Sequence, residues 1–347
     1  MGLDALAVHW AEQGRLPDAW IRAGIRKIVR ARRRSLDQAD RQAAGTATRA
    51  FGQRLRAEPI AVLTEAANAQ HYELPAEFFG LVLGAQRKYS CAWWPEGVHT
   101  LDHAELAALD ATCEHAQLVD GQRILELGCG WGSLTLWMAA RLPRSEIIAV
   151  SNSISQRDYI QAQAAQRSLR NIEVRVADMN RCALPRGFDR IVSVEMFEHM
   201  RNWPELVQRV AQALDPQGKF FMHVFCHRAV PYLYEDEGPA DWMSRHFFSG
   251  GMMPSDALAA ECQDHLRLRQ QWRWDGTHYQ RTARAWLENL ERRRHDALSI
   301  LSRAYGSAHA SLWFQRWRMF FMACEEMFGH RSGQEWWVSH YLFEKTT

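Results

Sequence analysis

The stretch that most constrains this 347-residue chain is Ile124-Leu125-Glu126-Leu127-Gly128-Cys129-Gly130-Trp131-Gly132. An apolar strand runs straight into three alternating glycines, and an apolar helical pattern follows over residues 134–142. Glycine accepts positive φ and lets a ligand approach the main chain, while the next helix N-terminus offers N–H groups without helical partners. Strand, glycine turn and helix in that order predict a nucleotide-cofactor turn rather than a plain loop.

The spacing narrows the cofactor. In Gly128-x-Gly130-x-Gly132 the third glycine comes one residue earlier than in the Gly-x-Gly-x-x-Gly of dinucleotide enzymes. Glu126 suits a carboxylate that accepts from a cationic amino group, which S-adenosylmethionine carries and a pyrophosphate would resist. A dinucleotide would also want an acid after the next strand, and residues 146–150 run instead into Ser151-Asn152-Ser153.

Short apolar runs at residues 123–127, 146–150, 172–176, 190–194 and 220–225 alternate with helical patterns, which predicts an α/β fold with a parallel sheet flanked by helices. Leu214-Asp215-Pro216-Gln217-Gly218 reads as a turn before the fifth strand. A further strand is expected near 266–274, helices over about 279–328 and a last strand near 337–343. Residues 1–85 read as a helical extension broken at Leu16-Pro17-Asp18 and Glu58-Pro59, so the division is 1–85 and 86–347, with a helical cap at about 278–328.

Four motifs in order carry a resemblance: Tyr89-Ser90-Cys91-Ala92-Trp93-Trp94, the glycine turn, the run from Ser151 to Gln156, and Ser193-Val194-Glu195-Met196-Phe197-Glu198-His199-Met200. Over about residues 85–345 the chain resembles the class I methyltransferase branch that holds the cyclopropane-fatty-acid synthases and the coclaurine-type N-methyltransferases. The resemblance implies a Rossmann-like sheet with helices on both faces and S-adenosylmethionine as cofactor. Tyr89 and Ser90 would close over its methionine part beside Gly128 and Gly130, and Glu126 would take the amino group. This branch holds the ribose with a hydroxyl and a glutamine, matched by Ser151 and Gln156. Asp178 would accept from the adenine amino group with Met179 against the ring; a turn aspartate beside a packed methionine is the competing reading.

Glu195, Glu198 and His199 emerge after the fourth strand, at the sheet edge where open α/β folds bind ligands. A protonated amine must lose its proton before it attacks a methyl group, and His199 is the natural base. Glu195 and Glu198 would hold the ammonium, although a helix-capping Glu198 beside a packed His199 remains open. Trp242, Phe247, Phe248 and Trp336 are candidates for an aromatic substrate pocket. The resemblance also frames the alternative, a lipid-modifying cyclopropane synthase. Those enzymes hold a bicarbonate-type base with a cysteine, a glutamate, a histidine and a tyrosine; Cys91, Glu198 and His223 match, whereas Leu287 stands at the expected tyrosine position. Glutamate at 195 and the missing hydroxyl favour N-methylation of a small amine over lipid modification, and three ionisable groups at one edge argue against cofactor binding without catalysis.

A net charge of +2 gives no reason to expect nucleic acid, and 47% apolar content is that of a globular protein. Arg22, Arg26, Lys27, Arg30, Arg32, Arg33 and Arg34 interleave with Ile21, Ile25, Ile28 and Val29 at helical spacing. That reads as a solvated face over a packed stripe, with membrane-surface contact only under the lipid alternative. Seven cysteines without a Cys-x-x-Cys pair predict reduced thiols and no structural metal site, and no run approaches the ~18 apolar residues of a membrane span, so a cytoplasmic location is expected.

Overall fold

The computed structural model describes residues 3–43, 46–62, 74–236, 238 and 241–346, so residues 63–73 of the expected helical extension lie outside the described residues. Before the core come α1 (Leu3–Glu12), α2 (Asp18–Ala43), α3 (Ala47–Leu55), α4 (Ala76–Val82) and α5 (Leu101–His115). The core then alternates β1 (Arg123–Leu127), α6 (Ser133–Arg141), β2 (Glu146–Ser151), α7 (Ile154–Gln166), β3 (Ile172–Val176), β4 (Phe188–Val194), α8 (Trp203–Ala213) and β5 (Leu214–His227). The five strands pair in parallel in the order β3-β2-β1-β4-β5. Ile124, Leu125 and Leu127 are all fully buried, because helices cover both faces of a central parallel strand.

After β5 the chain makes the two-stranded pair β6 (Tyr232–Leu233) and β7 (Met252–Met253) around the short α9 (Trp242–His246). It then forms β8 (Leu266–Trp274), the cap helices α10 (Gly276–Arg292), α11 (Arg294–Tyr305) and α12 (Ala310–Phe328), and β9 (Trp336–Lys345). β9 inserts antiparallel between β5 and β8, completing a seven-stranded mixed sheet. The expected turn at residues 214–218 is a register break inside β5: Phe188 pairs with Leu214 and Arg190 with Lys219. Pro216 has no N–H to give the ladder, so the strand bulges there rather than starting afresh.

The basic helix is accounted for by packing. Ile21, Val29 and Leu36 of α2 are buried, while Ile28 stays exposed. Arg22 pairs with Glu325 at 2.8 Å and Glu326 at 3.0 Å on α12, and Arg26 also reaches Glu326. Arg32 pairs with Asp241 at 3.2 Å. Further polar bonds add to this grip: Gln315 Nε2 donates to the Ala11 carbonyl at 3.0 Å in the interior, and Trp242 Nε1 donates to Glu12 at 2.9 Å. The N-terminal helices therefore brace the cap. Among the described residues no helix is long and apolar enough to cross a membrane.

The antiparallel edge is pinned by Asp256, just beyond β7. Its carboxylate accepts from Ser339 Oγ at 2.6 Å, Trp337 Nε1 at 3.0 Å, Gln271 Nε2 at 2.9 Å and Arg273 Nη2 at 2.5 Å. Burial by itself would raise its pKa, but the donors from Arg273, Ser339 and Trp337 outweigh burial and lower it. The resulting stability is complete above the unfolded pKa of about 3.9 and is lost as pH falls through the lower folded value. Asp256→Ala, which strands buried donors, is expected to cost about 3 kcal/mol in denaturant unfolding, most of it absent at pH values below the folded pKa.

Candidate active site

Strand order reverses between β1 and β4, which opens a crevice at their carboxyl ends. The cleft there has about 1280 Å³ of free space, mouth included, and is lined by Tyr89, Ser90, Glu126, Gly128, Gly130, Ser151, Gln156, Asp178, Met179, Glu195 and His199. Eleven residues singled out by sequence thus share one cavity. Gly128 has φ 81°, and a Cβ added to it would lie 2.6 Å from the Met196 Cβ, so both backbone and space require glycine. Glu126 ends β1 fully enclosed; burial pushes its pKa up to about 7, against a 2.5 Å hydrogen bond donated by Thr135 Oγ1. Ser151 Oγ donates to Gln156 Oε1 at 2.7 Å, which fixes the amide and leaves Gln156 Nε2 buried with no protein partner. That stranded donor at the cleft wall suits a ligand hydroxyl. Asp178 Oδ1 accepts from Asn180 N at 2.9 Å, so the aspartate closes a turn and lines the cleft at the same time.

The loop before α5 is clamped from both sides. Glu105 accepts from the backbone N–H groups of Gly84 at 2.9 Å, Gln86 at 2.8 Å and Lys88 at 3.3 Å. Lys88 Nζ, fully enclosed, donates to Ser90 Oγ and the Cys91 carbonyl, both at 2.6 Å. Thr282 of α10 takes the Ala92 N–H at 3.1 Å and the Trp94 Nε1–H at 2.9 Å. Lys88 and Glu105 escaped the sequence reading because such residues ordinarily sit in water; a lysine beside the Tyr89-Ser90 motif was the only signal.

Glu195 follows β4 with φ 48°, a left-handed conformation unusual for a non-glycine residue. Its Oε1 accepts from the Cys91 N–H at 2.9 Å and lies 3.1 Å from His223 Nε2, while its Oε2 accepts from the Tyr279 hydroxyl at 2.7 Å. Burial raises its pKa, opposed by Lys88 and by the donors from Cys91 and Tyr279. His199 is pushed by burial down to about 4, with Glu195 pulling the other way, so at neutral pH the imidazole is uncharged. The Phe248 ring lies 4.5 Å from it.

Several expected site residues stand elsewhere. Glu198 is fully buried behind the cleft, where its Oε1 accepts from Phe225 N at 2.7 Å; burial and the nearby Glu195 raise its pKa well above the ordinary carboxylate range. Trp242, Phe247 and Trp336 are core rather than pocket. Trp242 bonds Glu12, Phe247 stacks on Phe320 at 4.5 Å under α12, and Trp336 packs 5.5 Å from His227. Large rings at these positions are claimed by helices whose arrival the local sequence does not announce. Of the four expected rings only Phe248 stands at the site, against His199; Tyr279, bonded to Glu195, stacks on Phe328 at 4.3 Å, and Phe225 and Tyr234 pack against Phe248. Leu287, at the expected tyrosine position, is core, and Tyr279 on the same helix brings a hydroxyl to the site instead.

The sequence profile described as mycolic acid cyclopropane synthetase matches residues 63–336. The chain is 36% identical over 295 residues to the (S)-coclaurine N-methyltransferase of Thalictrum flavum subsp. glaucum, covering 84% of this chain and 82% of that protein. It is 31% identical over 223 residues to the cyclopropane-fatty-acyl-phospholipid synthase of Escherichia coli (strain K12), covering 64% of this chain and 55% of that one. The crystal structure of a coclaurine N-methyltransferase bound to N-methylheliamine and SAH superimposes with a TM-score of 0.92 at 34% identity, over 98% of this chain and 99% of that one. By sequence and by fold, this chain belongs to the mycolic acid cyclopropane synthetase family of S-adenosylmethionine-dependent methyltransferases.

Proposed function

We propose that this protein transfers a methyl group from S-adenosylmethionine to the nitrogen of a small aromatic or benzylic amine. The observation that carries this reading is Glu195, a buried carboxylate that shares its cleft with the neutral imidazole of His199. The amine-methylating relatives match more of the chain than the lipid enzyme does, which supports the same choice.

The cleft fits the cofactor. Glu126 offers a carboxylate to the amino group, Ser151 and the unpartnered Gln156 Nε2 face the ribose, Asp178 and Met179 serve the adenine, and Tyr89 and Ser90 close over the methionine part. S-adenosylmethionine supplies a methyl group already activated on a sulfonium, so the protein has to orient the acceptor and remove a proton. Glu195 draws in the ammonium and holds its nitrogen by a charge-assisted hydrogen bond. His199 is uncharged at neutral pH and takes the ammonium proton. Glu198 supports the pair from behind by tying the turn after β4 to Phe225 on β5. Phe248 beside His199 and Tyr279 beside Glu195, backed by Phe225 and Phe328, would offer flat apolar surface to an aromatic amine and to its positive charge. The seven cysteines are free thiols, which fits a reducing, cytoplasmic setting.

One observation favours a cyclopropane-synthase reading: Cys91, His223 and Tyr279 do converge. They converge, however, on the Glu195 carboxylate. A bicarbonate-type base brought there would meet a fixed negative charge within hydrogen-bonding range, which disfavours it.

Gly128→Ala is expected to weaken S-adenosylhomocysteine binding about tenfold or more by calorimetry while leaving the circular dichroism spectrum intact. His199→Ala should retain cofactor affinity and lose about a hundredfold in methylation of a benzylic amine; a wild-type rate at neutral pH would remove the base assignment. Because Glu195 is raised above the ordinary carboxylate range, kcat/KM should fall on the acid side at a pH above about 4.3, and Glu195→Gln should abolish that limb.

A further inference from the structure

Methylating an ammonium leaves one proton to be disposed of. The N–H bond breaks and its electron pair forms the N–CH3 bond, while the S–CH3 pair stays on sulfur. The Glu195 side chain is only 8% exposed before any ligand enters, so with amine and cofactor in the cleft that proton needs a route other than the mouth.

Behind Glu195 lies a line of three histidines that the mechanism leaves unused. His223 Nε2 is 3.1 Å from Glu195 Oε1. His223 on β5 and His340 on β9 are directly opposed across the ladder, so their side chains share one face, and their ring centroids are 4.5 Å apart. His223 Nδ1 and His340 Nε2 are both buried without a protein hydrogen-bond partner. On its other side His340 Nδ1 lies 2.8 Å from Nδ1 of His115, at the half-exposed end of α5. Aromatic rings sheathe the line: Trp274 lies 4.3 Å from His340 and 5.6 Å from His223, Phe221 lies 5.2 Å from His340, and Trp272 stacks on His115 at 4.0 Å. Packing alone would be served by apolar residues at 223 and 340, without the cost of two stranded nitrogens.

We propose that His223, His340 and His115 form a proton exit from Glu195 to the protein surface, an inference that rests on the amine-methylating function above. His199 passes the ammonium proton to Glu195, which shares the cleft with it. The Glu195 O–H then donates to His223 Nε2, and His223 releases a proton from Nδ1 to His340 Nε2 through a small ring rotation or one intervening water. His340 gives its Nδ1 proton to His115 Nδ1, and His115 releases one from Nε2 to solvent. One proton enters, one leaves, and nothing is oxidised or reduced. Each ring must rest uncharged to work this way, and burial lowers the pKa of all three. The charged and titratable groups that act on the line are Glu195, Tyr279, Cys91 and Lys88 at its inner end and Glu114 at its outer end.

The test compares single-turnover methylation at pH 7 of a benzylic secondary amine, which is cationic there, with that of an N-alkylaniline, which is not. His340→Leu and His115→Ala should each slow the benzylic amine about tenfold and leave the aniline within about twofold. Calorimetric affinity for S-adenosylhomocysteine should be unchanged. Added imidazole should restore His115→Ala, whose site reaches solvent, and not His340→Leu. Equal slowing of both amines, or no slowing of either by His115→Ala, overturns the relay. A wild-type protein that methylates neither amine overturns the proposed function, and the relay falls with it.

Discussion

A buried carboxylate needs polar partners, and the way Glu195 obtains them organises this protein. Its partners come from the Cys91 backbone before the core, His223 on β5 and Tyr279 on the first cap helix. Four separated stretches of chain must therefore be in register before the charge is tolerated. The left-handed backbone at Glu195 is the local sign of that constraint, since an ordinary conformation would be preferred if nothing outside the turn held it.

The same demand accounts for the outer layers. The Tyr89 loop is held by Glu105 beneath it, by buried Lys88 within it and by Thr282 above it. The cap that carries Thr282 and Tyr279 is in turn braced by α1 and α2, through Gln315, Glu325 and Glu326. The N-terminal helices, which carry no recognisable motif, thus stand two contacts away from the chemistry. Arg22, Arg26 and Arg32 are engaged by acids of the cap and of residue 241, so these positions of the basic stripe do not have to be explained by a lipid surface.

Under the proposed function, the same constellation would serve a chemistry different from that of a cyclopropane synthase. A cysteine, a histidine and a tyrosine that would hold a small anion in a cyclopropane synthase here surround a carboxylate carried by the chain itself. An attached negative charge repels a second anion and attracts a cation. The difference between the two readings therefore rests on glutamate at position 195 and on where its side chain points, and not on a missing hydroxyl at Leu287.

The sequence alone determined the alternating strands and helices, the glycine turn and the residues that line the cofactor side of the cleft. These are local patterns: period, glycine spacing and the residues just after a strand end. The antiparallel insertion of β9, the placement of Glu198 behind the cleft and the burial of Trp242, Phe247 and Trp336 were decided by tertiary structure. Each depends on which distant segment packs against the residue, and an indole or a carboxyl reads the same in either setting. Tyr279, His115 and His340 were illegible for the same reason, and so was the neighbourhood that joins them to His223, which the sequence offered only as a match to the cyclopropane-synthase constellation. They lie up to 225 residues apart in the chain and become neighbours only when β9 closes against β5, because cross-strand register is a property of the folded sheet and not of either strand.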